Sequence, residues 1–171
     1  PIAPTKPEII ALISKDRVAV QPQQVPVQIS PPQPDAPNRQ IPIEIQPEGW
    51  YLLENKHILL CGDTAEPGFY NRASEAELAL AITSSDWDHD WLIETVNNLI
   101  LLKESSLKAG LIEQTLSLYS EPGDTVIFPW LPDEEILAIA HRLGRRIVAG
   151  DLDPERCRRA IVRSGLSVRS I

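Results

Sequence analysis

Proline placement constrains this chain more than any other feature, because eleven of its 16 prolines fall in residues 1–49. Proline removes a backbone donor and pushes the preceding residue out of the helical well. Pairs and near-pairs such as Gln21-Pro22, Val25-Pro26, Pro31-Pro32-Gln33-Pro34 and Ile41-Pro42 therefore exclude a long helix or a central strand there. The exception is Pro7 to Arg17. Pro7 suits a first helical position, and Ile9, Ile10, Leu12 and Ile13 form a short apolar stripe, so a short helix is expected near 7–17. The rest of residues 1–49 reads as an extended, polyproline-like arm. Val18, Val20, Val25, Val27, Ile29, Ile41, Ile43 and Ile45 alternate with other residues, many of them polar or proline; the bland reading is a linker, and the sharper one is an arm docked along a protein partner as an edge strand or extended ligand.

From Trp50 onward the texture changes, and residues 50–171 are expected to form one α/β domain. Strands are predicted at Lys56 to Cys61, Leu78 to Thr83, Thr125 to Phe128 and Arg146 to Gly150. Helices are predicted at Asp90 to Leu102, Gly110 to Tyr119, Asp133 to Leu143 and Pro154 to Val162, with Gly144 closing the third. Strands alternating with helices imply a small, mostly parallel sheet of about five strands covered on both faces.

The chain carries a formal charge of −8, which argues against general nucleic-acid binding. From His141 to Ile171, however, there are eight arginines against Asp151, Asp153 and Glu155. The bland reading of that basic end is solvated helix faces. DNA binding by the chain alone is not expected, since no aromatic residues interleave with the arginines to stack bases. No apolar run approaches the roughly 20 residues of a membrane helix, and no basic-then-apolar leader opens the chain, so a cytoplasmic protein without membrane association is expected. Cys61 and Cys157 read as buried free thiols. Asp86, Asp88, His89 and Asp90 are read as helix capping and solvated charge, with no metal expected. His57 is expected to pack at a strand and His141 to face solvent.

Three blocks together resemble the permuted DNA amino-methyltransferases, which methylate adenine N6 or cytosine N4, and particularly those fused to ParB-like domains. The first is His57-Ile58-Leu59-Leu60-Cys61-Gly62-Asp63-Thr64, preceded by Trp50-Tyr51-Leu52-Leu53; the second is the strand Leu78 to Thr83. The third runs from Lys108 through Pro122-Gly123-Asp124-Thr125-Val126-Ile127 and Leu143-Gly144-Arg145-Arg146 to Asp151-Leu152-Asp153-Pro154-Glu155. The resemblance covers residues 50 to 164 and implies a Rossmann-like, S-adenosylmethionine-dependent methyltransferase fold.

It also implies where chemistry would sit, and there the chain departs from the family. The D-P-P-Y loop that grips a flipped base is replaced by Ser84-Ser85-Asp86-Trp87; Trp87 retains a stacking surface, but the acceptor and the proline pair are gone. The glycine loop that admits the methyl donor is replaced by Phe128-Pro129-Trp130-Leu131-Pro132-Asp133-Glu134-Glu135, whose bulk fills the cleft and whose charge repels a carboxylate. Asp151 stands where an acid would bind ribose hydroxyls and Asp63 near the adenine amine, as vestigial positions. The expectation is a pseudo-enzyme without a cofactor, acting as a protein-binding or structural module. Alternatives are an S-adenosylmethionine sensor and a methyltransferase subunit completed by a partner.

Overall fold

The computed structural model describes residues 9–14, 44–73, 75–83 and 88–171. Eight strands form one sheet: β1 (Ile9–Ser14), β2 (Gly49–Leu53), β3 (His57–Cys61), β4 (Leu78–Thr83), β5 (Asn98–Lys103), β6 (Thr125–Phe128), β7 (Arg146–Asp151) and β8 (Val168–Ser170). Five helices accompany them: α1 (Pro67–Tyr70), α2 (Trp91–Thr95), α3 (Leu111–Tyr119), α4 (Ile136–Arg142) and α5 (Pro154–Ser164). The spatial order is β1-β5-β4-β6-β7-β3-β2-β8. The five inner strands, β5-β4-β6-β7-β3, run parallel. β1 flanks one side, antiparallel to β5; on the other side β2 runs antiparallel to β3, and β8 antiparallel to β2, which returns it to the direction of the inner strands.

Side-chain alternation explains why both faces need cover. On β4, Leu78, Leu80 and Ile82 join one core while Ala79 and Ala81 join the other. Residues of α3, α4 and α5, including Leu116, Leu137 and Ile161, fill the first layer. Phe69 of α1 and Leu92 of α2 fill the second, with Trp50, Trp91 and Trp130 packed against it. The small side chains of Ala79 and Ala81 leave room on that face for the aromatic groups. The chain is thus an α/β protein with a mixed sheet, parallel through its five inner strands and covered on both sides. No helix among the described residues is long and apolar enough to cross a membrane.

Three sequence expectations are corrected. Residues Ile9–Ser14, expected as helix, form β1, because an isolated apolar segment this short cannot sustain a helix but can satisfy its backbone on the open edge of β5. The helix expected over Asp90 to Leu102 stops at Thr95, and β5 follows. The unbroken run Leu99-Ile100-Leu101-Leu102 suits a strand covered on both faces, and the Glu77 carboxylate holds its start by accepting from Asn97 Nδ2 (2.7 Å) and Asn98 Nδ2 (2.9 Å). Among the described residues the sheet therefore has eight strands, not about five. In addition, α4 begins at Ile136, three residues later than expected, since Asp133 spends its side chain accepting from Glu135 N at 2.8 Å.

The proline-rich segment is not separate from the domain at its end. Ile45 packs against the larger core, and Gln46 N donates to the hydroxyl of buried Tyr51 at 2.7 Å. The remainder of the expected arm, residues 1–8 and 15–43, lies outside the described residues.

Candidate functional site

In parallel α/β sheets, ligand crevices open beyond the carboxyl ends of the strands, where the strand order reverses. Here that point lies between β4 and β6. The chain leaves β4 towards β5 on one side and leaves β6 towards β7 on the other. The loops that meet there follow β3 (Gly62 to Glu66), β6 (Pro129 to Glu135) and β7 (Leu152, Asp153), together with His89 just before α2. Residues Ser84, Ser85, Asp86 and Trp87, which follow β4, lie outside the described residues.

Asp151 ends β7 with its side chain buried, and both carboxylate oxygens are taken by backbone amides. Leu131 N donates to Oδ2 and Asp153 N to Oδ1, each at 2.9 Å. The first bond pins the loop after β6 across the mouth of the sheet, and Leu131 itself is buried. The second shapes the turn into α5, whose N-cap Asp153 accepts from Glu155 N at 2.9 Å. Charge-assisted bonds of this kind are among the stronger ones available to a buried carboxylate. Arg156 reaches the same cluster more loosely, at 3.8 Å from Asp151, 3.8 Å from Glu104 and 3.9 Å from Asp153.

Asp63, two residues beyond the end of neighbouring β3, has a local role as well. Its Oδ1 accepts from Ala65 N at 2.8 Å, an aspartate turn that redirects the chain into α1. The structure thus places Asp151 at the end of β7 and Asp63 two residues past the end of neighbouring β3, whose Cys61 pairs with Asp151, and directs the described hydrogen bonds of both carboxylates to backbone amides.

Thr64, His89 and Trp130 each fall in a segment singled out in the sequence, but nothing there indicated that they meet at the crevice. The Thr64 hydroxyl donates to the Pro129 carbonyl at 3.0 Å and shares a 2.7 Å hydrogen bond with His89 Nε2. His89 Nδ1 lies 2.5 Å from Asp88 Oδ1. His89 is buried, so the expectation that the Asp86–Asp90 segment is merely solvated and helix-capping is corrected at this residue. Asp90 precedes α2 without a side-chain capping bond. Ring packing completes the filling: His89 lies 4.3 Å from Trp130, Trp91 5.3 Å from Tyr70, and Phe69 5.9 Å from Trp91 between ring centroids. Gly150 makes room for this arrangement, because a Cβ there would come within 2.4 Å of Thr64 Cγ2.

The order threonine, histidine, aspartate has the outline of a nucleophile relay, but Thr64 is only 3% exposed and its proton is directed at a carbonyl. A nucleophile must reach a substrate atom; this hydroxyl instead ties the loop after β3 to the loop after β6. No known protein family, curated protein or solved structure matches this chain. No group of three or more candidate ligand side chains gathers to hold a metal among the described residues.

The other groups singled out in the sequence have structural partners. His57 is buried, and its Nε2 lies 2.8 Å from Nδ1 of His141. His141 is partly buried in this contact, correcting the expectation that it faces solvent. Burial, followed by the charge on His141 and Lys56, pushes His57 down to about 4. Arg145 is buried and caps α3, donating to the carbonyls of Ser120 (2.5 Å), Leu143 (2.6 Å) and Leu116 (3.3 Å). Three further arginines pair with acids: Arg142 with Glu113, Arg158 with Glu155 and Arg163 with Glu135. Cys61 and Cys157 are free and buried, and burial pushes both thiols up, away from the reactive thiolate. Beside Asp151 an open groove of about 390 Å³ is lined by Leu131, Pro132, Asp133, Glu134, Arg156 and Arg159.

Proposed function

We propose that this protein is a non-catalytic relative of the DNA amino-methyltransferases, used as a protein-binding or structural module. The observation that carries this reading is the state of Asp151. The acid that would face ribose hydroxyls in an active relative accepts from Leu131 N and Asp153 N instead. Leu131 is drawn into the space where glycines would admit a methyl donor, and Trp130 packs on His89 beside it. A nucleoside entering there would have to break a buried, charge-assisted hydrogen bond and displace packed aromatic rings. Its gain would have to exceed both costs.

The strand arrangement supports the kinship: the three family-like blocks include β3, β4, β6 and β7, four neighbours in the sheet. The arginines support a protein partner over DNA, because Arg142, Arg145, Arg158 and Arg163 are engaged within the chain. The proline-rich segment is the surface proposed to meet that partner.

Calorimetric titration with S-adenosylmethionine and S-adenosylhomocysteine tests the reading. No heat of binding at millimolar ligand is expected. Micromolar affinity would overturn it and restore the sensor and enzyme alternatives. Deleting residues 15–43 should then abolish capture of the partner, and undiminished capture would remove the arm from the proposal.

A further inference from the structure

We propose that the groove beside Asp151 is a peptide-docking cleft for an extended segment of alternating acidic and basic side chains, held between a basic wall on α5 and an acidic wall on the loop after β6. The inference stands on the groove itself and needs neither the proline-rich segment nor methyltransferase kinship.

Local structure builds both walls. On α5, Arg156, Arg159 and Arg163 recur at i, i+3 and i+7, which puts them on one stripe of the helix. Asp133, Glu134 and Glu135 follow one another in the turn that leads into α4, where Asp133 Oδ1 accepts from Glu135 N at 2.8 Å. The walls meet at one end, where Arg163 donates from Nη2 and Nε to Glu135 Oε1 at 2.8 and 3.1 Å. Away from that closed end they stand apart. The groove of about 390 Å³ is lined there by Asp133 and Glu134 from the loop and by Arg156 and Arg159 from the helix.

These charges are not spent on one another. Among the described residues Arg159 makes no hydrogen bond or ion pair, and Glu155, four residues before it, is already bridged by Arg158. Arg156 stands 3.8 Å from Glu104 and Asp151 and 3.9 Å from Asp153, beyond hydrogen-bonding distance, so its donors are open to a closer acceptor.

The balance of the lining decides the class of ligand. Two cations accompany two anions, so a simple anion would gain two arginines but meet two carboxylates, and a simple cation the reverse. A ligand carrying both signs gains at both walls. Apart from Pro132 and buried Leu131 the lining is charged, which disfavours an apolar ligand. The groove is open to the surface, so a chain can lie in it with its ends in solvent. An extended peptide sends successive side chains to opposite sides, so alternation of acid and base delivers every acid to α5 and every base to the loop. Like side chains then recur every ~6.6 Å, against about 4.5 Å of helix rise between Arg156 and Arg159, a difference that long arginine side chains absorb.

Titration of isotope-labelled protein with a blocked tetrapeptide of alternating glutamate and lysine, followed by amide NMR, tests the cleft. Signals of Leu131, Asp133, Glu134, Arg156 and Arg159 should shift together, with a Kd on the order of 1 mM because exposed ion pairs are individually weak. Affinity should fall as salt is raised, and about fivefold in Arg159→Gln and in Glu134→Gln. Both positions are exposed, so neither variant threatens the fold. Arg142→Gln, which breaks the Arg142–Glu113 pair outside the groove, should bind as the natural chain does. No shifts at about tenfold higher peptide would overturn the cleft. Equal affinity for a tetrapeptide with both glutamates before both lysines would overturn the alternating register. Equal weakening in Arg142→Gln would overturn the two walls, because the peptide would then be answering general charge.

Discussion

Acidification should destabilise this protein through His57, and the size of the effect can be worked out. The ring is 0% exposed and its Nδ1 has no hydrogen-bond partner among the described residues, so a proton there is poorly solvated. Its folded pKa, about 4, lies below the ordinary 6.5. The unfolded chain therefore takes up the proton first. The contribution of the neutral ring is fully present above about 6.5 and is lost as pH falls from there towards 4. Between pH 7 and pH 5 the loss from this one group is at most about 2 kcal/mol. With an ordinary denaturant dependence for a domain this size, that is roughly a 1 M drop in the urea midpoint. Other groups titrate over the same range, so the assay compares urea unfolding of the natural chain with His57→Gln at both pH values. The natural chain should lose about 2 kcal/mol more than the variant between them. Equal losses in the two proteins would refute the reasoning, because His57 would then be taking up its proton as easily folded as unfolded.

Two further outcomes follow from the crevice. Asp151→Ala strands the amides of Leu131 and Asp153, and calorimetric unfolding should show a loss of about 2–4 kcal/mol; a loss within error of zero would mean that the carboxylate does not hold the loop. Gly150→Ala sets a Cβ against Thr64 Cγ2 and should cost about 2 kcal/mol. In a Thr64→Ser background that methyl is absent, so a double-mutant cycle should show a smaller cost, whereas strict additivity would mean the clash is relieved elsewhere.

What the sequence made legible follows from how local each signal is. β3, β4, β6 and β7 could be read because each is a short apolar run bounded by turn residues, and α5 because Pro154 marks its start; its end was read two residues early, at Val162, since the stop is set by Gly165 at φ +66°. β5 was hidden because Trp91, Ile93, Val96, Leu99 and Ile100 also fit helical spacing; Glu77 is what holds the two asparagines at the break, and it is twenty residues away. β1 was hidden because its pairing partner lies nearly ninety residues further on. At the crevice, the positions of Asp63 just past β3 and Asp151 at the end of β7 were legible, but their hydrogen-bond partners were not. Nothing near His89 announces Thr64 or Trp130, since the three meet only when the loops after β3 and β6 converge.

The position of β3 between β2 and β7 also governs how the chain can assemble as it is made. The β2–β3 hairpin closes through neighbours in sequence, Leu53 against His57, but its other edge waits for Val148 to meet Ile58. At cellular synthesis rates of about 5–20 residues per second, that interval lasts roughly 5–20 s. For all of it, Ile58-Leu59-Leu60-Cys61 is an apolar strand with one open side, and β2 must wait longer still for Val168–Ser170. Until β7 arrives, the nascent hairpin can pair through that open edge with another chain, the hazard of a sheet built from non-local pairings.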